Sequence, residues 1–378
     1  RPTDYMWWWR GTRVIDSFNP QGASLDYTIT EFPFFSFLLG DLHPHVMSIP
    51  FILLFITFSL NFLLTPALIG ARWVREHLGT VFMAALLLGA LAFINTWDIV
   101  PFAVLWAALL VFKATRQEAN QKESGWQRAL PRVWLPILAT LALAILMYLP
   151  YYLSAESQAT GILPVGEVGT RPIHFLIIWG LFLAVLLPFL LRQLPSVLSS
   201  GREFWPRSTI LLGVIFLPFF IWVAWQLGWS TLTWSTDPLS VVAQRFLNIL
   251  PLALLLFVAL YSLMRHVESG DSSAMAFVLT LVSLALLLIL GPEFLRVDDL
   301  FHNRMNTMFK LYYQAWVLLA IASAFGLYFL GSMKPPSWGL LRLAMRGWWG
   351  LIGIVLIASL YYPVEAAFPK SGQVKGAT

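Results

Sequence analysis

Carboxylates near the start of the chain are the residues whose type and setting best suit acid–base chemistry. Glu31 lies within a run of aromatic residues, Asp41 follows that run, and Asp4 precedes both. A carboxylate beside a reacting hydroxyl group can take its proton, and an ionisable group among apolar residues is a functional candidate. The sequence therefore offers these three residues as candidate catalytic bases. For Glu31, a carboxylate that caps the start of a helix is an equal alternative.

An acid and two histidines flank Pro44 in a way that could bind a metal ion. The residues are Asp41, His43 and His45, and the candidate cofactor is a divalent cation such as Mg²⁺ or Mn²⁺. Proline favours extended backbone in the residue before it, so we expect alternation to place both imidazoles on one side. The alternative is that the histidines hydrogen-bond the start of the following helix.

A basic segment late in the chain could bind an anion. Arg304, Asn306 and Lys310 precede a long apolar run, which Tyr313 and Gln314 enter. If a helix begins near this point, Asn306 and Lys310 share one of its faces. Free N–H groups at a helix start favour phosphate, so these five residues are candidate substrate contacts. The alternative for the bases is a cluster of ion pairs with the acids of the same loop.

Aromatic and basic residues are also grouped near the chain start. Trp9 ends a run of three tryptophans, and Arg10 and Arg13 follow it. Indole faces and guanidinium groups could line a groove for a sugar or a lipid phosphate, because arginine matches phosphate geometry. The alternative is that the tryptophans lie at a membrane headgroup boundary, where indoles are enriched.

Composition decides which elements position these residues. Of 378 residues, 58% are hydrophobic and 11% are charged, against about 25% charged in a soluble domain. This balance excludes a soluble globular protein and a disordered chain, and the absence of cysteine excludes disulfides and thiol catalysis. No basic stripe with interleaved aromatic residues indicates a nucleic-acid partner. The chain is predicted to be an all-α, polytopic bundle of transmembrane helices in contact with membrane lipids.

Apolar runs of suitable length predict about ten membrane spans. They are 47–65, 79–95, 99–113, 132–150, 174–191, 209–227, 246–264, 274–291, 311–331 and 347–362. Residues 1–46 then form a loop segment that carries most of the motifs, 47–362 the transmembrane domain, and 363–378 a tail. Because the chain begins with Arg1, we expect it to be a fragment of a longer protein.

The charge of the loops predicts their orientation. One alternating set of loops holds 14 Lys and Arg against 6 Asp and Glu, and the other set holds 10 against 13. The positive-inside rule assigns the first set to the cytoplasm. The motif loops, including interfacial helices such as the aromatic run, are therefore predicted to be extracytoplasmic in a multi-pass protein of the cell membrane. We expect the early and late motif segments to meet there.

Three long strings resemble those of the YYY family of bacterial and archaeal multi-pass membrane proteins. They span residues 7–15, 31–45 and 303–316. That family is a domain of unknown function with distant similarity to GT-C-type glycosyltransferases. The similarity implies a GT-C-like fold, a sugar donor linked to polyprenyl phosphate, and a catalytic Asp or Glu in the first outward loop.

These expectations lead to one main functional hypothesis. The protein would be a membrane glycosyltransferase. One of its carboxylates would deprotonate an acceptor hydroxyl, and its cationic side chains would neutralise a departing lipid phosphate. The alternatives are a non-catalytic transporter or flippase of an anionic lipid or polymer, and a structural membrane subunit. The oligomeric state, the sugar and the acceptor are not predicted.

Overall fold

The structure is a computed structural model that describes residues 6–18, 21–40, 42–119, 125–156, 159–199, 201–233, 237–334, 337 and 339–371. Helices dominate these residues, which confirms the predicted all-α class. In chain order the helices are α1 (Trp7–Arg10), α2 (Pro33–Leu39), α3 (Pro44–Met47), α4 (Ile49–Leu64), α5 (Ala71–Glu76), α6 (Leu78–Ile94), α7 (Ile99–Ala119), α8 (Gly125–Met147), α9 (Leu149–Ser154), α10 (Pro172–Leu191), α11 (Leu194–Leu198), α12 (Phe204–Thr233), α13 (Pro238–Glu268), α14 (Ser273–Leu290), α15 (Met305–Gly331), α16 (Gly339–Ser359) and α17 (Tyr361–Lys370).

The long helices agree with the spans that the sequence predicts. Among the described residues, nine helical segments are long and apolar enough to cross a membrane. The remaining predicted span, 79–95, corresponds to α6, a shorter apolar helix of 17 residues. A 3₁₀ turn at Thr96–Asp98 joins α6 to α7, and α8 packs against both of them.

Local sequence explains where several helices begin and end. Pro33 and Pro44 occupy first-turn positions of α2 and α3, where a missing N–H costs nothing. Gly40 caps the end of α2. Its φ of 80° is the left-handed conformation that glycine adopts without strain. Asp237 caps α13 by accepting hydrogen bonds from the N–H groups of Leu239 and Ser240.

Helix α14 is the centre of the bundle. It packs against α4, α7, α13 and α15, and nearly all of its side chains are buried. A helix that is apolar on every side suits such a position, because it has no face for water. By contrast, α16 lies at the periphery, and among its described side chains only Ile352 is buried.

The two ends of the bundle differ in what they carry. One end, which we call the motif face, carries α1–α3, the turn at 96–98, the loops before α10 and α15, and α17. Two short strands there, β1 (Gly161–Pro164) and β2 (Leu295–Asp298), pair antiparallel and join two of these loops. No strands were predicted from the sequence. The other end, the opposite face, carries α5, α11 and the turn between α15 and α16.

Candidate functional site

Aromatic packing fixes the start of the chain on the motif face. Trp8 is buried and stacks on Phe35 of α2 at 5.3 Å between ring centroids. Trp7 stacks on Tyr362 of α17, and the Tyr362 hydroxyl donates a 2.5 Å hydrogen bond to the Trp8 carbonyl. These tryptophans therefore pack within the protein, and α17 holds the segment from the other end of the chain.

Glu31 is held between an arginine and a histidine. Arg13 Nη2 lies 3.2 Å from Glu31 Oε1, and His45 Nε2 lies 3.9 Å from Oε2. The Arg13 guanidinium carbon lies 4.1 Å from the centre of the Trp9 ring, which restricts its position further. All three polar side chains are more than nine-tenths buried. One carboxylate oxygen of Glu31 is thus oriented by Arg13, and the other has no partner at hydrogen-bond distance in the described structure.

The setting of Glu31 affects its protonation. Burial raises the pKa of the Glu31 carboxyl above its ordinary value of 4.5, although the positive charges of Arg13 and Lys310 act in the opposite direction. A carboxylate with a raised pKa is a stronger base than one in water, because its charged form is poorly solvated. The predicted role of Glu31 as a base is compatible with this environment.

The early and late motif segments meet on the motif face. The His45 ring contacts the Phe309 and Tyr313 rings of α15, with centroid distances of 4.7 Å in both cases. The Ser36 hydroxyl of α2 lies 3.5 Å from His45 Nε2. This contact joins segments that are more than 250 residues apart in sequence, as the sequence analysis expected.

Lys310 is a cation beside Phe309, close to this contact. Its ammonium group is close enough to Glu31, His45 and Asp98 to act electrostatically on all three. The side chain is half-buried and forms no hydrogen bond or ion pair with a residue that the structure describes. Its nitrogen lies 4.8 Å from the Phe309 ring centre. An incompletely compensated ammonium at a membrane boundary suits a phosphate ligand.

Asp98 belongs to a second cluster of buried polar side chains near Lys310. Asp98 Oδ1 accepts hydrogen bonds from Asn95 Nδ2, at 2.7 Å, and from Gln314 Nε2. Asp98 Oδ2 and Gln314 Oε1 have no hydrogen-bond partner among the described residues, although Ser48 lies beside Asp98. Gln314 was predicted to contact substrate, whereas here it binds Asp98. From the sequence alone, Asp98 in its tight turn is predicted to be either a helix cap or part of the outward site.

Arg304 occupies a different environment from Lys310. It is 2% exposed, and its Nη2 lies 2.5 Å from Asp26 Oδ2 and its Nη1 lies 2.8 Å from Glu293 Oε1. Burial acts to lower the pKa of Arg304, but the charges of Glu293 and Asp26 outweigh it and raise that pKa. Arg245 of α13 also contacts Glu293. This is the ion-pair alternative for Arg304, and its charge is compensated within the protein.

The remaining predicted residues have varied settings. Asn306 donates a 2.9 Å hydrogen bond to Asp299 Oδ2, and Tyr313 is fully buried against His45. Arg10 is exposed at the end of α1. Asp4 and Asp41 lie outside the described residues, so their roles as bases stay predictions.

The histidine motif differs from its predicted backbone geometry. His43 is extended, with φ −69° and ψ 148°, but Pro44 starts helix α3, so His45 is helical. The physical reason is that proline at the first helical position needs no N–H partner. The two imidazoles nevertheless touch edge to face at 5.4 Å. No group of three or more metal-binding side chains occurs among the described residues, and the predicted site that includes Asp41 stays a prediction.

Two cavities lie on the side of α10, one beside Glu31 and one beside Glu293. A small cavity of about 110 Å³ is lined by Glu31 together with Trp179, Tyr312 and Trp316. A larger apolar groove of about 700 Å³ runs between α10 and α13, and Thr170, Glu293 and Tyr312 also line it. Tyr312 therefore borders both cavities. The residue pattern of the sequence did not indicate either of them, because their walls are ordinary membrane-helix residues.

Comparison with known proteins places the chain in a family. Residues 2–319 match the family model described as an uncharacterized membrane protein (DUF2298), and the chain belongs to that family. No curated protein and no solved structure is significantly similar to the chain. The protein is therefore a multi-pass membrane protein, and the resemblance to GT-C enzymes stays a prediction.

Replacement of Arg304 tests the buried ion-pair cluster. Arg304→Met leaves Asp26 and Glu293 as buried carboxylates without their main partner, so we expect the free energy of unfolding to fall by about 3–5 kcal/mol. The measurement is thermal and denaturant unfolding of the purified protein in detergent. The matched control is Arg296→Met, which breaks a more exposed pair with Asp298 and should cost about 0–1 kcal/mol. Equal losses for the two variants would contradict the assignment.

Proposed function

We propose that this protein is a membrane glycosyltransferase that takes a sugar from a polyprenyl-phosphate donor on the extracytoplasmic face. The observation that carries this proposal is that a buried carboxylate, Glu31, lies beside a cavity between membrane helices and within electrostatic range of the Lys310 ammonium group. Such a transfer requires a carboxylate that accepts a proton and a cation that compensates the charge of a phosphate.

The proposed reaction assigns one step to each group. An acceptor hydroxyl oxygen attacks the anomeric carbon of the donor sugar while its proton passes to Glu31 Oε2. The bond between the anomeric carbon and the phosphate oxygen breaks, and polyprenyl phosphate leaves with the bonding electrons. Lys310 then compensates the negative charge that develops on this phosphate. Arg13 acts as a positioning residue, because it binds the other oxygen of Glu31.

The cavities suit the two parts of such a donor. The cavity beside Glu31 is lined by Trp179 and Trp316, and indole faces commonly pack against sugar rings. The apolar groove between α10 and α13 would take the prenyl tail, because its walls are hydrocarbon. Tyr312, which borders both, would lie near the junction of sugar, phosphate and tail.

Electrostatics favour Lys310 over Arg304 for the phosphate. Arg304 is already compensated by two carboxylates, so phosphate binding would require breaking buried ion pairs. Lys310 has no such partner in the described part of the chain. Of the two predicted phosphate contacts, Lys310 therefore retains that role, and Arg304 has a structural role.

Glu31→Gln tests the base directly. The amide has nearly the same shape but cannot accept the proton, so we expect the rate of sugar transfer to fall by about 100- to 10,000-fold. The measurement is transfer from radiolabelled polyprenyl-phosphate sugars to extracted acceptors by the protein in proteoliposomes. The matched control is Glu156→Gln, the same change at an exposed residue near β1, which should keep full activity.

Full sugar transfer by folded Glu31→Gln would overturn the assignment of the base. Binding of polyprenyl phosphate without any transfer by the wild type would instead favour the transporter or flippase alternative.

Lys310 is tested by removal and by conservative replacement. Lys310→Met removes the charge that faces the departing phosphate, so kcat/KM for the donor should fall by about 100- to 1,000-fold. Lys310→Arg keeps the charge and should recover part of the loss. The same transfer assay, with the donor concentration varied, measures both variants. Equal activity of Lys310→Met and the wild type would exclude a phosphate contact at this residue.

The pH dependence of transfer tests how Arg13 affects Glu31. A base works only when deprotonated, so activity should rise with pH through the pKa of Glu31, which lies above 4.5. Arg13 lowers that pKa, so Arg13→Gln should move the acidic limb of the rate profile to higher pH. Arg10→Gln, which changes an exposed arginine nearby, should leave the limb in place. An unchanged limb in Arg13→Gln would contradict the coupling.

A further inference from the structure

A cleft at the opposite face of the bundle has features of a lipid site that is separate from the motif face. It lies between the ends of α10 and α15 and the first half of α16, and its volume is about 330 Å³. Its apolar wall includes Leu191, Leu330 and Trp349, and two basic residues, Arg192 and Lys334, also line it. The match to the family model ends at residue 319, so α16 lies beyond the matched residues.

One wall of this cleft is held by a specific hydrogen bond. Pro188 within α10 has no N–H group, so the carbonyl of Ala184, four residues earlier, loses its helical partner. The Trp348 indole N–H of α16 donates a 2.9 Å hydrogen bond to that carbonyl. An unpaired carbonyl is costly inside a membrane, so this bond fixes α16 against α10. The cleft is therefore a defined structural feature of the helix packing.

The charges at the cleft have no ion-pair partner among the residues that the structure describes. Arg192 and Lys334 are exposed, and neither side chain forms a hydrogen bond or ion pair with a residue that the structure describes. They follow the last turns of α10 and α15, where positive charge is also favoured by the helix dipole. The dipole accounts for the sign of these charges but not for their convergence on one apolar cleft.

We propose that this cleft binds one anionic phospholipid of the membrane. Its phosphate lies between Arg192 and Lys334, and one acyl chain lies along Leu330 and Trp349. Charge complementarity at the rim and hydrocarbon walls below it match the two parts of such a molecule. Basic clefts between membrane helices are known to take acidic lipid headgroups. The proposal does not depend on the glycosyltransferase reaction.

The test compares lipid binding to variants of the full chain by native mass spectrometry in detergent. The probes are phosphatidylglycerol and phosphatidylcholine with the same acyl chains. The wild type should bind phosphatidylglycerol more tightly, by about 5-fold for each cation. Arg192→Gln with Lys334→Gln should bind the two lipids equally. The control, Arg72→Gln with Arg75→Gln, removes two charges from α5 on the same face and should behave as the wild type.

Three outcomes would overturn the proposal. One is equal preference for phosphatidylglycerol in the wild type and in Arg192→Gln with Lys334→Gln, and another is an equal loss in the α5 control. The third is displacement of the lipid by soluble glycerol phosphate, which would show a site for free phosphate. A second variant, Ala344→Trp, fills the cleft and keeps both cations. It should lose phosphatidylglycerol while it remains monodisperse, and retained binding would show that the chain lies elsewhere.

Discussion

The burial of Arg304 between two carboxylates is the interaction on which the candidate site depends. Asp26 comes from the first segment of the chain and Glu293 from the turn after α14, so one guanidinium joins three segments at the start of α15. Burial of this arginine is tolerated because both partners are at hydrogen-bond distance. The pairing fixes where α15 begins, and residues of its second and third turns then contact His45 and Asp98.

The sequence predicted the fold better than it predicted the site. Apolar runs locate the membrane helices because a bilayer imposes length and composition on each span. The meeting of the two motif segments was also predicted, because alternating spans place them at the same membrane surface. Of the two partners of Arg304, Glu293 belongs to the loop whose acids were the predicted alternative, whereas Asp26 was not predicted, since it is one acid in a polar loop with no local pattern. Pairings of that kind depend on tertiary contacts, which spacing along the chain does not encode.

The environment of His45 shows a further limit of local patterns. A His-Pro-His sequence indicates possible chelation, because it brings two imidazoles close together, and in the structure their rings do touch. Pro44, however, acts on both sides: it keeps His43 extended and starts a helix after it. His45 is thereby directed into the protein, where Phe309 and Tyr313 cover its ring. The motif that indicates a metal site also supplies a packing contact between α3 and α15.

Arg304 and Lys310 have the same charge and lie close together in sequence, yet helical geometry separates their roles. Six residues correspond to about 600° of rotation in an α-helix, so the two positions are about 120° apart around the axis. Arg304 points toward acids that neutralise it. Lys310 lies on the face of Tyr313 and Gln314, three and four residues further on, where the nearby groups include Glu31 and Asp98. Two carboxylates compensate the charge of Arg304, whereas Lys310 forms no ion pair with a residue that the structure describes.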